Sequence, residues 1–131
     1  MKVAGTAVSS LIILLHLGQA YANEKKFSDE LICKAAIAAI MGKDPSIVSS
    51  KKKRGGNIIL RYIRPTDKSK WSYRCKVLNK KIIWGTIDGR WRDHPNDPVV
   101  TYSERENTLS IIEKYVDGSS NDRLYSKDEL K

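Results

Sequence analysis

Residues 70–79 alternate without a break. Trp71, Tyr73, Cys75 and Val77 fall on one side of an extended chain, and Ser72, Arg74, Lys76 and Leu78 on the other. Successive strand side chains point to opposite faces, so this period of two predicts a half-buried strand. Asn79-Lys80 follows, and asparagine tolerates the positive φ that a two-residue hairpin turn needs. The return strand to Thr86 then has a definite register: Val77 faces Ile82, Cys75 faces Trp84 and Tyr73 faces Thr86 inside, while Lys76 pairs with Ile83 and Arg74 with Gly85 outside. Trp71 and Trp84 share the parity of Tyr73 and Cys75 and are read as core.

Upstream the period is helical. Ser28 is a good N-cap, Asp29 and Glu30 bring negative charge to the first turn, and Phe27 can staple across the cap to Ile32. Gly42 and Asp44-Pro45 end the helix. Residues 31–41 are apolar everywhere except Lys34, so the helix is buried on more than one side. Ala35, Ala38 and Ala39 form a small-residue side suited either to close internal packing or to a homodimer contact.

Three more strands are expected at residues 57–64, 99–103 and 108–116, the last two joined by the polar turn 104–107. Residues 49–56 read as a Ser/Lys/Gly-rich loop, and residues 118–131 as a polar tail ending in a short helix or coil. The expected fold is α+β: one N-terminal helix on a roughly five-stranded antiparallel β-meander.

Residues 1–22 follow a different logic. Lys2 supplies a positive start, an apolar stretch runs to Leu17, and Ala20-Tyr21-Ala22 places small residues where a signal peptidase reads. Cleavage after Ala22 leaves residues 23–131 as a single domain, periplasmic or secreted. No apolar run reaches the roughly 18 residues of a membrane span. The only two cysteines, Cys33 and Cys75, then lie in an oxidising compartment and are expected to bridge helix and sheet. Lys131 follows the letters Lys-Asp-Glu-Leu and voids them as a terminal retention address.

Charge is distributed unevenly. Residues 51–92 carry 14 lysines and arginines against two acids, Asp67 and Asp88, whereas residues 93–131 are net acidic. One sheet face with Arg74 and Lys76 outward would carry a positive field able to draw a polyanion. The candidate anion-binding residues are Lys51, Lys52, Lys53, Arg54, Arg74, Lys76, Arg90, Trp91 and Arg92. Trp91, between two guanidinium groups, either stacks on a ligand ring or folds back to plug one end of the core. The commoner role of such charge is solvation alone. Sequence-specific nucleic-acid recognition is not expected, since no helix combines basic and base-reading side chains.

Catalytic chemistry has one candidate, His94 with Asp93 and Asp97, in a loop stiffened by Pro95 and Pro98. A histidine between carboxylates can act as a general base on a phosphodiester, as in a small secreted nuclease. The commoner role of such a segment is turn chemistry, with Asp and Asn bonding local amides. Nothing implies a cofactor, and one histidine after the leader, His94, without a Cys-x-x-Cys pair implies no metal site. An inhibitor-like factor binding an envelope protein is a third reading, and the chain's basicity favours an acidic partner over a basic enzyme. The sequence thus favours an exported, non-enzymatic module binding an anionic polymer, glycan or acidic protein.

Overall fold

A computed structural model describes residues 25–53 and 55–131. The leader read at residues 1–22 lies outside the described residues. The order of elements is helix α1 (Asp29–Met41), a 3-10 turn (Pro45–Ile47), strands β1 (Ser49–Lys52), β2 (Ile58–Ile63), β3 (Lys70–Leu78), β4 (Lys81–Thr86), β5 (Val99–Arg105), β6 (Thr108–Lys114) and β7 (Ser120–Ser126), then a helical turn α2 (Lys127–Leu130). The strands form one antiparallel sheet in the order of the chain, β1 to β7. Helix α1 packs on β1, β2 and β3 and also on β6, so the sheet curls around it.

The helix begins and ends where its caps demand. The Ser28 hydroxyl accepts from the Leu31 N–H at 3.3 Å, and Gly42 closes the helix at φ 63°. The Lys43 N–H then donates to the Ala38 carbonyl at 2.8 Å, satisfying one of the carbonyls a helix end leaves open. Ile32, Cys33, Ala35, Ala36, Ile37, Ala38 and Ala39 are all buried. Burying Ile32 and Ile37 stabilises the fold by roughly 1.5–3 kcal/mol each. From the sheet, Ile58, Leu60, Tyr73, Cys75, Ile82, Val100, Leu109 and Ile111 complete this core.

The β3–β4 hairpin has the expected register, with Val77 opposite Ile82, Cys75 opposite Trp84 and Arg74 opposite Gly85. Asn79 makes the turn at φ 57°. Cys33 and Cys75, both fully buried, form the helix-to-sheet disulfide with their Cα atoms 5.9 Å apart.

Four expectations are corrected. The sheet has seven strands rather than about five, because Ser49–Lys52 and Ser120–Ser126 also pair, with β2 and β6 respectively. The helix is not N-terminal in the chain, since 28 residues precede it. The homodimer contact through Ala35, Ala38 and Ala39 is withdrawn: these alanines are 0%, 1% and 8% exposed, and their small side lets the curled sheet come close. Trp71 is 37% exposed instead of core, because it lies at the end of β3, where strand parity sets the side but not the depth.

Candidate functional site

Strands β1 to β4 contain no acidic residue. Register places Lys51 opposite Ile59, Ile59 opposite Arg74 and Arg74 opposite Gly85, a row across the face turned away from the helix. Arg61 shares the next row with Ser49 and Ser72, and Lys76 pairs with Ile83. This outer face is where the sequence expected positive charge.

The segment after β4 builds the centre of the site. Strands β4 and β5 pair only through Lys81–Thr101 and Ile82–Val100, and beyond that point residues 87–98 fill the gap. The Arg92 N–H donates to the Trp84 carbonyl at 2.8 Å, taking the place that β5 has left. Gly85 permits this approach: a Cβ there would stand 2.4 Å from the Arg90 carbonyl oxygen. The result lays Trp91, half-buried, over two of the outer-face cations. The Arg74 guanidinium is 4.1 Å and the Lys76 ammonium 4.3 Å from its ring centroid. Cations at that distance are attracted by the negative face of the ring. Arg74 also donates to the Gly89 carbonyl at 2.6 Å. Its Nε is buried without a partner.

A clamp holds the segment in shape. Arg90 grips Asp97 with two hydrogen bonds of 2.7 and 2.8 Å, and the His94 N–H donates to the same carboxylate at 3.0 Å. Asp97 is buried, and the Arg90 hydrogen bonds hold its carboxyl well below the usual carboxylate range. The Asn96 N–H donates to His94 Nδ1 at 3.1 Å, and the Asp97 N–H to the His94 carbonyl at 2.9 Å.

The predicted residues therefore divide. Arg74, Lys76 and Trp91 come together, with Lys51 in the same row. Lys52 pairs with Ile58 and so takes the opposite parity, Lys53 is exposed just past β1, and Arg54 lies outside the described residues. Arg90 is committed to Asp97, and the Arg92 guanidinium stands 4.9 Å from the Trp84 ring. Trp91 plugs no part of the core but lies on the outer face. His94 and Asp93 are exposed, His94 Nδ1 accepts from the Asn96 N–H, and the Asp97 carboxylate is turned to Arg90. No three His, Cys, Asp or Glu residues gather in a metal-holding group among the described residues. Sequence reasoning missed Arg61, whose outward parity becomes evident once β2 is paired with β3, and it missed Gly85, whose only signal was a glycine inside a strand.

Compared with protein-family models, curated proteins and solved structures, the chain matches none.

Proposed function

We propose that this protein is an exported, non-enzymatic binding domain whose outer face on β1–β4 receives an anionic polymer. The observation that carries the reading is the Arg74–Trp91–Lys76 stack, set on a sheet region free of acidic residues. A surface serving solubility alone has no need to order its cations against an aromatic ring. Ordering them lowers the conformational entropy lost when a ligand arrives. The half-buried indole adds a surface on which a sugar or base can stack. Export is supported by the residue 1–22 pattern and by the Cys33–Cys75 bridge, which persists in oxidising compartments. Among the described residues no helix is long and apolar enough to cross a membrane.

The test is a salt titration of fluorescent single-stranded DNA, RNA and lipopolysaccharide binding, read by anisotropy. Wild type is expected to bind with a steep salt dependence. On the single-stranded nucleic acids, R74Q/K76Q is expected to flatten the slope of log K against log salt by about 1.4, the share of two lost phosphate contacts. Equal affinity and slope for the double variant refute this face as the site, and His94-dependent cleavage of the probe refutes the non-enzymatic reading.

A further inference from the structure

The two edges of the sheet are built differently. β1 is four residues long, carries Lys51 and Lys52 and runs on into Lys53, and helix α1 packs against it. Short, lysine-bearing edge strands resist pairing with another chain. β7 is seven residues long, has no lysine, proline or glycine, and keeps an unbroken register with β6 from Ser120 to Ser126. Its first five residues are exposed, Leu124 on the outer face by 67%. The devices that blunt an edge strand are missing from β7.

The ladder fixes which backbone groups face the open side. The Tyr115 N–H donates to the Ser119 carbonyl and the Lys127 N–H to the Asn107 carbonyl, both at 2.8 Å. Odd-numbered positions are thus the ones bonded across to β6. In an antiparallel ladder the N–H and C=O of one residue point to the same side, and the side alternates along the strand. Ser120, Asp122 and Leu124 therefore aim theirs away from β6, where no strand lies among the described residues.

A second copy of the chain fits that edge. β7 holds one acid, Asp122, beside one base, Arg123, so its charge cancels in a chain of net charge +9. A two-fold axis perpendicular to the sheet joins outer face to outer face and centres the pairing on one residue. Three centres pair five or more strand residues of each copy: Asp122, Arg123 and Leu124. The first sets two carboxylates directly opposite and the second two guanidiniums, and like charges so placed are destabilising. The third sets Leu124 against its own copy, Asp122 against the other copy's Ser126 and Arg123 against the other copy's Tyr125, with no like charges opposed.

We infer that β7 is a self-association edge, pairing antiparallel with β7 of a second copy in the register centred on Leu124. The sheet then continues through the pair, with the β1–β4 faces at its two ends and on the same side. The inference is independent of the polymer-binding reading, which concerns β1–β4, and of the alanine side of α1, which the sheet covers.

Single-cysteine variants of the full oxidised protein read the register. In the Leu124-centred pair the two Cα atoms at position 124 lie roughly 5.5 Å apart, within disulfide reach, against roughly 8 Å at position 123 and roughly 14 Å at position 122. L124C is expected to cross-link to a dimer under mild oxidation, and R123C and D122C to remain monomeric on a non-reducing gel. Sedimentation equilibrium should give wild type a dissociation constant on the order of 0.1 mM, the weak association of one short strand pair. L124K should weaken it about a hundredfold, since two leucines lose their cover. Its melting temperature in dilute solution should stay that of wild type, because Leu124 faces water in the single copy. R74Q/K76Q should associate as wild type does, so failure here and failure of the polymer reading are separable. A monomer at about 1 mM, association that L124K leaves unchanged, or cross-linking led by D122C or R123C or equal in all three overturns the proposal.

Discussion

Replacing Gly85 with alanine tests whether the segment after β4 rests on the sheet as described. The added methyl carbon would lie 2.4 Å from the Arg90 carbonyl oxygen, 3.3 Å from the Arg90 carbonyl carbon and 3.6 Å from the Trp91 Cα. Carbon and oxygen ordinarily approach to about 3.3–3.6 Å, so the carbonyl must retreat by roughly 1 Å. It belongs to backbone, and backbone here is held on two sides. Gly85 is fixed in register with Arg74, and Arg92 is tied to the Trp84 carbonyl. Overpacking of this kind costs about 1–3 kcal/mol. A glycine-to-alanine change returns up to about 1 kcal/mol by restricting the unfolded chain. The net loss should be about 1–2 kcal/mol, a fall in melting temperature of about 5–15 °C for a domain of this size. Trp91 should also lift away from Arg74 and Lys76, seen as a red shift in tryptophan emission that W91A lacks. Thermal unfolding by circular dichroism with parallel fluorescence decides it. An unchanged midpoint together with unchanged emission would refute the close approach and with it the ordering of the cation stack.

Other outcomes follow from neighbouring features. Replacing both Cys33 and Cys75 with alanine opens a loop of sequence separation 42 and should cost about 4 kcal/mol in urea unfolding, with reductant having no further effect. Asp97, depressed by Arg90, supports the fold fully above its ordinary value of 3.8 and loses that support as pH falls through its folded value, so D97N should flatten the acid limb of a melting curve taken from pH 2 to 6. Tyr73 moves the other way. Burial first, then the hydrogen bond with Tyr62, pushes its hydroxyl up, so neutral Tyr73 supports the fold below the ordinary tyrosine value of about 10 and the support is lost as pH rises through the folded value. Absorbance at the tyrosinate band should show one phenol titrating after the rest, and Y73F should remove that late step.

The β3–β4 hairpin was legible residue by residue because a half-buried strand writes its faces into the sequence. The same holds for the caps of α1 and for the disulfide, which follow from residue types with narrow uses. β1 and β7 left no such trace. Ser-Ser-Lys-Lys and the largely exposed Ser120–Ser126 are edge strands facing water, held by backbone ladders to β2 and β6, so no alternation betrays them. Trp91 was illegible for another reason. Its neighbours are Arg74 and Lys76, 17 and 15 positions earlier, and only the early parting of β4 from β5 brings them together.

The order of the sheet governs how the chain assembles. Every strand pairs with its neighbour in sequence, so each hairpin can close as soon as its second strand exists, over short loops that cost little entropy everywhere but at residues 87–98 between β4 and β5. The helix stands outside that scheme. It is made first, it is apolar almost all round, and β6, which completes its cover, lies some 67 residues beyond Met41. A chain growing from its N-terminus therefore carries a helix-forming apolar segment that has no sheet to lie on until β2 and β3 appear, and no finished enclosure until β6. Aggregation of nascent or refolding protein should centre on that segment. Cys33 waits with it, open to the wrong partner in any other unfinished chain until Cys75 arrives 42 residues later.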